Sequence, residues 1–346
     1  MSERNYLIHE YFMKKIENYE PELAFKGKSQ EDFKSWHRVA LEKLKEIVGE
    51  FPNRVPLNSE VLSTEECDGL IREKIVFDSE EFMSVPCYVL RPKDMTMDKS
   101  NAAILCSHGH GFNAQFGKEP VAGFATSPKM KEELDFYNYN YAEQMAKRGY
   151  LTIAPDLRGF GERGDTEAFP IKDSCNSNYV QGSILGLFTL TLNIWDMMCC
   201  IDYLETRPEV DNERIGMMGL SGGGTMTTFT SALDSRIKAA DIMGYINSFG
   251  VFGIERGNFC GMQILPNIYK YFDTDEIAGL IAPRPLLIEM NENDQCFYFK
   301  DLMKGFEGVE EIYKAAGREN DLWRDTKPRD HCFNGDKAFD FFDKYL

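Results

Sequence analysis

Hydrophobic and polar positions alternate with two different periods along the chain. Up to about residue 60 the sequence is rich in charge. Leu41, Leu44, Ile47 and Val48 recur there at helical spacing after Trp36. Pro52 and Pro56 end that stretch. Residues 1–60 are therefore expected to form a helical extension that packs on the main domain and carries no chemistry. His9 and His37 fall in it as surface or packing residues.

From 61 to 346 the pattern changes. Residues 71–77 and 83–90 are rich in β-formers and are separated by Asp78-Ser79-Glu80-Glu81, which predicts a hairpin. Residues 102–107 form a continuous apolar run, the mark of a strand buried on both faces, and 150–154 is the next such strand. Residues 214–218, 237–243 and 285–290 read as further strands. Residues 141–148, 194–205 and 225–233 read as helices between them, and 338–346 as a terminal amphipathic helix. Strands alternating with helices predict an α/β domain over 61–346. Its sheet is doubly wound and mostly parallel, with the hairpin as an antiparallel edge. In such sheets, sites form at the C-terminal ends of the strands.

Composition narrows the function classes. The 346 residues are 43% hydrophobic, enough for one large domain with an extension or two modest domains. The net charge of -17 repels phosphate backbones and anionic membranes, so neither nucleic acid nor a membrane is an expected partner. Nine cysteines are scattered without a CxxC pair, and Cys106, Cys199 and Cys200 sit in apolar segments, as buried thiols do. That usage fits a reducing compartment. No run approaches the roughly 20 apolar residues of a membrane span, and no apolar signal region follows Met1. A cytoplasmic protein is expected.

The candidate chemistry centres on Gly219-Leu220-Ser221-Gly222-Gly223-Gly224, between the strand at 214–218 and the helix at 225–233. Gly-x-Ser-x-Gly between strand and helix is the pattern of a nucleophile elbow. The turn crowds the serine, so side chains at Gly219 and Gly223 would collide with the adjoining strand and helix. Ser221 Oγ is then exposed at the strand end, beside the positive end of the helix dipole.

A serine nucleophile needs a base, an orienting acid and an oxyanion hole. His331 is the one histidine that follows Ser221. The acid is expected in the loop after 285–290, with Asp294 first and Glu292 second; Glu289 falls inside the strand. Oxyanion donors are expected at the Gly222 N–H and, from the loop His108-Gly109-His110-Gly111-Phe112, at the His110 N–H with Gly111 in reserve. His108 and His110 at i and i+2 raise zinc as a possibility, but no Asp/His cluster nearby completes a site, so neither metal nor organic cofactor is expected.

Together HGHGF, Asp156-Leu157-Arg158-Gly159-Phe160-Gly161, GLSGGG, Ala282-Pro283-Arg284-Pro285 and the late His331 resemble the α/β-hydrolase superfamily. Within it they resemble the dienelactone-hydrolase-like and acetyl-xylan-esterase-like members. The resemblance spans about residues 65–346. It implies Ser221, Asp294 and His331 as the triad, with Gly222 and His110 as backbone donors. Two departures stand out: dienelactone hydrolases proper use a cysteine where this chain has Ser221, and Asn291 stands where the loop usually has glycine. Asp294 and Glu292 therefore both stay open. Arg158 is expected to pair with an internal carboxylate.

Two long stretches, 166–190 and 245–273, are candidates to shape the pocket through Phe169, Tyr179 and Phe188, and through Phe249, Phe252, Phe259, Tyr269 and Tyr271. The expected activity is hydrolysis of a small carboxylic ester, acetyl-like by analogy, through an acyl-enzyme. A peptide or amide hydrolase of the same fold, and a binding protein that has lost hydrolysis, are the alternatives. Whether the N-terminal helices mediate a homodimer stays open.

Overall fold

In the computed structural model, which describes residues 4–112, 116–165 and 174–346, nine strands of the described residues form one sheet. They are β1 (Glu60–Cys67), β2 (Leu70–Glu80), β3 (Met83–Pro92), β4 (Asn101–Ser107), β5 (Leu151–Pro155), β6 (Val210–Leu220), β7 (Ile237–Met243), β8 (Leu286–Asn291) and β9 (Leu322–Lys327). Their order is β1-β2-β3-β5-β4-β6-β7-β8-β9. The pairs from β1 to β5 are antiparallel, and all pairs from β5–β4 to β8–β9 are parallel.

The unbroken apolar runs follow from burial on both faces. Along β4, Ala103 and Leu105 join one core, while Ala102, Ile104 and Cys106 join the other. The first face is covered by the helices Gln30–Val48, Thr189–Thr206, Gly222–Leu233 and Phe299–Ala316; the second by Tyr141–Lys147 and Asp336–Tyr345. With no watered face, the strands cannot show a period of two.

The expected hairpin is present and gains a third strand. β1 is almost wholly exposed and carries no apolar alternation, so periodicity misses it. Its turn had a local signature: Asp68 and Gly69 both take positive φ (49° and 78°), the Asp-Gly pattern of a tight hairpin. β9, at the opposite edge, reads Leu-Trp-Arg-Asp-Thr-Lys and is also too polar to be seen by hydropathy.

The N-terminal residues include two helices, Ile8–Ile16 and Gln30–Val48. The second opens with a capping box: the Asp32 N–H donates to Ser29 Oγ (3.2 Å) and the Ser29 N–H to Asp32 Oδ2 (3.0 Å). It buries Phe33, Ala40, Leu44 and Val48 as one stripe. His37 Nε2 lies 3.0 Å from the Leu280 carbonyl, and the helix's buried stripe joins the core on one face of the sheet.

Asp156–Gly161 is a structural loop. Arg158 makes a two-toothed pair with Asp196 (2.8 and 2.8 Å) and a further one with Glu80 (2.7 Å). Asp156 receives Lys118 Nζ at 2.6 Å, and Lys118 also reaches Glu162 (2.7 Å) and Glu119 (3.2 Å) with its side chain fully buried. Lys118→Met keeps the volume and strands the Asp156 charge. It is expected to lower unfolding free energy by about 3–5 kcal/mol, read as a drop in urea midpoint at unchanged slope.

Candidate active site

β6 ends at Leu220 and the following helix starts at Gly222, leaving Ser221 between them at φ 61° and ψ -115°. Left-handed φ is costly for a residue with a Cβ, so this serine is held by its surroundings. Its N–H donates to the Met243 carbonyl of β7 (2.9 Å), and its carbonyl accepts from the Thr225 N–H (2.9 Å). The glycines are needed for close approach: a Cβ on Gly223 would fall on the Ser107 carbonyl, and one on Gly219 on the Gly223 carbonyl. A Cβ on Gly109 would lie 2.5 Å from the Leu220 carbonyl and 3.1 Å from Ser221 Cβ. The 108–111 loop is thus pressed onto the elbow.

The loops after β8 and β9 bring Asp294 and His331 together. His331 Nδ1 is 2.7 Å from Asp294 Oδ2, and both side chains are almost fully buried. The other Asp294 oxygen accepts the N–H groups of Cys296 (2.7 Å) and Phe297 (2.8 Å). These bonds preset the carboxylate before it meets the imidazole. The ring stacks on Phe297 at 5.6 Å and meets Tyr137 edge-on at 6.0 Å. Its Nε2 is buried without a hydrogen-bond partner among the described residues, in the cleft that Ser221 also lines. Glu292 is not brought there: it is exposed, and its backbone N–H donates to the Lys327 carbonyl.

Asn291 has a specific task. Its side-chain amide donates to the carbonyls of Asp330 (2.8 Å) and Cys332 (3.0 Å), on either side of His331. A glycine here could not clamp that loop. Two residues earlier in β8, Glu289 Oε2 accepts the Asn334 N–H (2.8 Å). Burial, with a smaller contribution from the charge of Asp325, pushes the Glu289 carboxyl up to about 8. The folded protein therefore holds this carboxyl neutral at pH 7, while the unfolded chain ionises it near 4.5. Its stabilising effect is fully present below that lower value and is lost as pH rises through about 8, a span worth roughly 3–5 kcal/mol. Glu289→Gln is expected to flatten the fall in urea midpoint between pH 5 and pH 8. An unchanged slope would assign that fall to other groups.

The two histidines of the glycine loop part company. His108 is buried: its Nε2 accepts the Leu157 N–H (3.0 Å), its Nδ1 lies 2.8 Å from the Gly109 carbonyl, and burial lowers its pKa to about 4. It is a neutral strut between β4 and β5. Both rings meet Phe160, at 5.2 and 5.3 Å, so they share a side as i and i+2 should. With both His108 nitrogens taken, the pair does not chelate. His110 instead sets Nε2 3.0 Å from Cys260 Sγ. The bond to Cys175 is the largest effect that draws the Cys260 thiol well below its usual range; burial opposes it and His110 adds to it.

Ser221, His331, His110 and Cys260 line a cleft of about 280 Å³. Of the two candidate stretches, the second contributes Phe252, which stacks on Phe297 (4.2 Å). Phe249 and Phe259 pack behind it. Tyr179 and Phe188 do not line the cleft, and Phe169 lies outside the described residues. Tyr137 and Tyr139 line it and were missed by sequence reasoning. The Tyr139 hydroxyl accepts the Gly109 N–H (2.6 Å) and so braces the glycine loop. Their signal was the alternation Tyr137-Asn138-Tyr139-Asn140-Tyr141 just before a helix.

Residues 2–317 match the Abhydrolase family. The chain belongs to that family. The Abhydrolase match agrees with the sheet order and the serine elbow, and the protein has the α/β-hydrolase fold. It is 29% identical over 276 residues to YtaP of Bacillus subtilis (strain 168), which carries the name of a hydrolase; the match covers 78% of this chain and 82% of that one. Among solved structures it is similar to a Bacteroides fragilis NCTC 9343 protein described as an acetyl xylan esterase (TM-score 0.76, 20% identity, 93% of this chain and 83% of that one). It is also similar to a glucuronoyl esterase from Solibacter usitatus (TM-score 0.66, 15% identity, 94% and 97%). At these identities the likeness is one of fold.

Proposed function

We propose that this Abhydrolase protein is a serine esterase that cleaves a small carboxylic ester with a short acyl group. One observation carries the reading: His331, held by Asp294 at 2.7 Å, lines the cleft that the strained Ser221 also lines, and its buried Nε2 has no partner among the described residues. In this mechanism His331 Nε2 takes the Ser221 proton as Oγ attacks the ester carbonyl. The oxyanion rests on the Gly222 N–H, at the positive end of the helix, with the His110 N–H as second donor. The imidazolium then protonates the departing alcohol, and the acyl group stays on Ser221. Water gives a proton to His331 and attacks the acyl carbon. Collapse returns that proton to Ser221 and frees the acid.

The esterase names of the fold relatives agree with this reading. The small cleft favours acetyl: about 280 Å³ is at the lower limit for pockets that enclose drug-sized ligands. Phe252, Phe297 and Tyr137 wall it with rigid rings that a long acyl chain would have to displace. Release of p-nitrophenol from its acetate, butyrate and octanoate esters tests this. The expected kcat/KM falls at least about tenfold from acetate to octanoate. A flat or rising series would reject the short-acyl preference.

A further inference from the structure

We propose that His110, Cys175 and Cys260 form a binding site for a zinc-class divalent ion on the wall of the cleft. One ligand atom from each lies within 4.8 Å of the other two, and His110 Nε2 is 3.0 Å from Cys260 Sγ. Zinc sits about 2.0–2.1 Å from an imidazole nitrogen and about 2.3 Å from a thiolate. Ligand atoms of one tetrahedral ion are therefore about 3.3–3.8 Å apart. The three atoms are already near that spacing, and small side-chain shifts complete it.

The three residues come from separate parts of the chain that are independently locked together. His110 belongs to the glycine loop, Cys175 to the helix Ser174–Leu185, and Cys260 to the turn before Gly261–Gln263. The Gly261 N–H donates to Asn176 Oδ1 (3.0 Å), and a Cβ on Gly261 would fall on Tyr179 Cβ. Helix and turn thus touch at the residues next to both thiols. Gln263 donates from Nε2 to Thr225 Oγ1 (3.0 Å), and its Oε1 accepts from the Cys260 thiol (3.8 Å), a bond that gives way when the ion displaces the thiol proton.

The donor set decides the ion. Two thiolates and an imidazole are soft ligands that select zinc over magnesium or calcium. Tetrahedral zinc takes four ligands, and among the described residues these three supply all but one of them. His110 and Cys260 line the same cleft as Ser221, so the ion would sit at its wall. With Nε2 on the ion, the ring proton sits on Nδ1. That nitrogen would lie 3.0 Å from a Cβ on Gly222, so the ion would set the tautomer of a ring that stands against the oxyanion corner. Binding also releases thiol protons.

The site does not depend on Ser221 being a nucleophile, and its test needs no turnover. The 346-residue chain, reduced and stripped with a chelator, is titrated with Co(II), and Zn(II) is then measured by competition with a chromophoric chelator. We expect one equivalent of Co(II) with a thiolate-to-cobalt charge-transfer band that Zn(II) abolishes. Cys260→Ser and Cys175→Ser should each weaken binding at least about 100-fold. Because Cys175 is buried and its variant could disturb the helix, wild-type protection provides a second measurement: Zn(II) should slow alkylation of Cys260 by iodoacetamide at least about tenfold. Absence of the thiolate band, or a band retained in both variants, would overturn the proposal. So would a Cys175–Cys260 disulfide in the isolated protein whose reduced form binds no Co(II); the pair would then be a redox couple.

Discussion

Ser221→Ala is expected to reduce kcat for p-nitrophenyl acetate by about 10⁵–10⁶-fold, to the level of the uncatalysed reaction plus binding. The substitution removes one oxygen and keeps the Cβ. The φ of 61° is therefore borne by the variant as by the parent, and the Met243 and Thr225 backbone bonds remain. Stability should change by less than about 1 kcal/mol, so activity and thermal midpoint separate chemistry from folding. Equal turnover by both proteins would eliminate Ser221 as the nucleophile. Loss of activity with an unchanged midpoint would assign it that role.

Asp294→Asn is the second large effect, a loss on the order of 10⁴-fold in kcat. The carboxylate does two things: Oδ2 takes the His331 Nδ1 proton bond, and Oδ1 holds the Cys296 and Phe297 amides. An asparagine that keeps its oxygen on those amides must present its NH₂ to His331. The ring would then place its proton on Nε2, where a base must be free. Glu292→Gln, at an exposed position, should leave kcat within about twofold. The reverse ranking would move the orienting role to Glu292 and discard the geometry at Asp294.

Much of the site was legible because its signals are local. The glycines around Ser221 record contacts between residues a few positions apart, where a Cβ has no room. His331 is the one histidine after the elbow in chain order. Strands buried on both faces are apolar throughout, so β4 and β5 announce themselves, while the exposed β1 and the polar β9 do not.

The choice between the two acids was not legible, because Asp294 and Glu292 differ only in which way one loop turns them. The bonds from Asn291 to the carbonyls flanking His331 decide how that histidine loop lies. Tyr137 and Tyr139 enter the cleft from a segment with no motif of its own.

The sequence by itself determined the strand–elbow–helix unit and the doubly wound sheet, and it singled out Ser221 and His331 as candidates, since periodicity and steric exclusion act within short windows. Only the tertiary structure decided which acid meets His331, the walls of the cleft and the meeting of His110 with Cys260. Such pairs are joined across 37 positions for Asp294 with His331 and 150 for His110 with Cys260. Contacts at that separation leave no period in the chain, and they are set by how the loops at the strand ends pack.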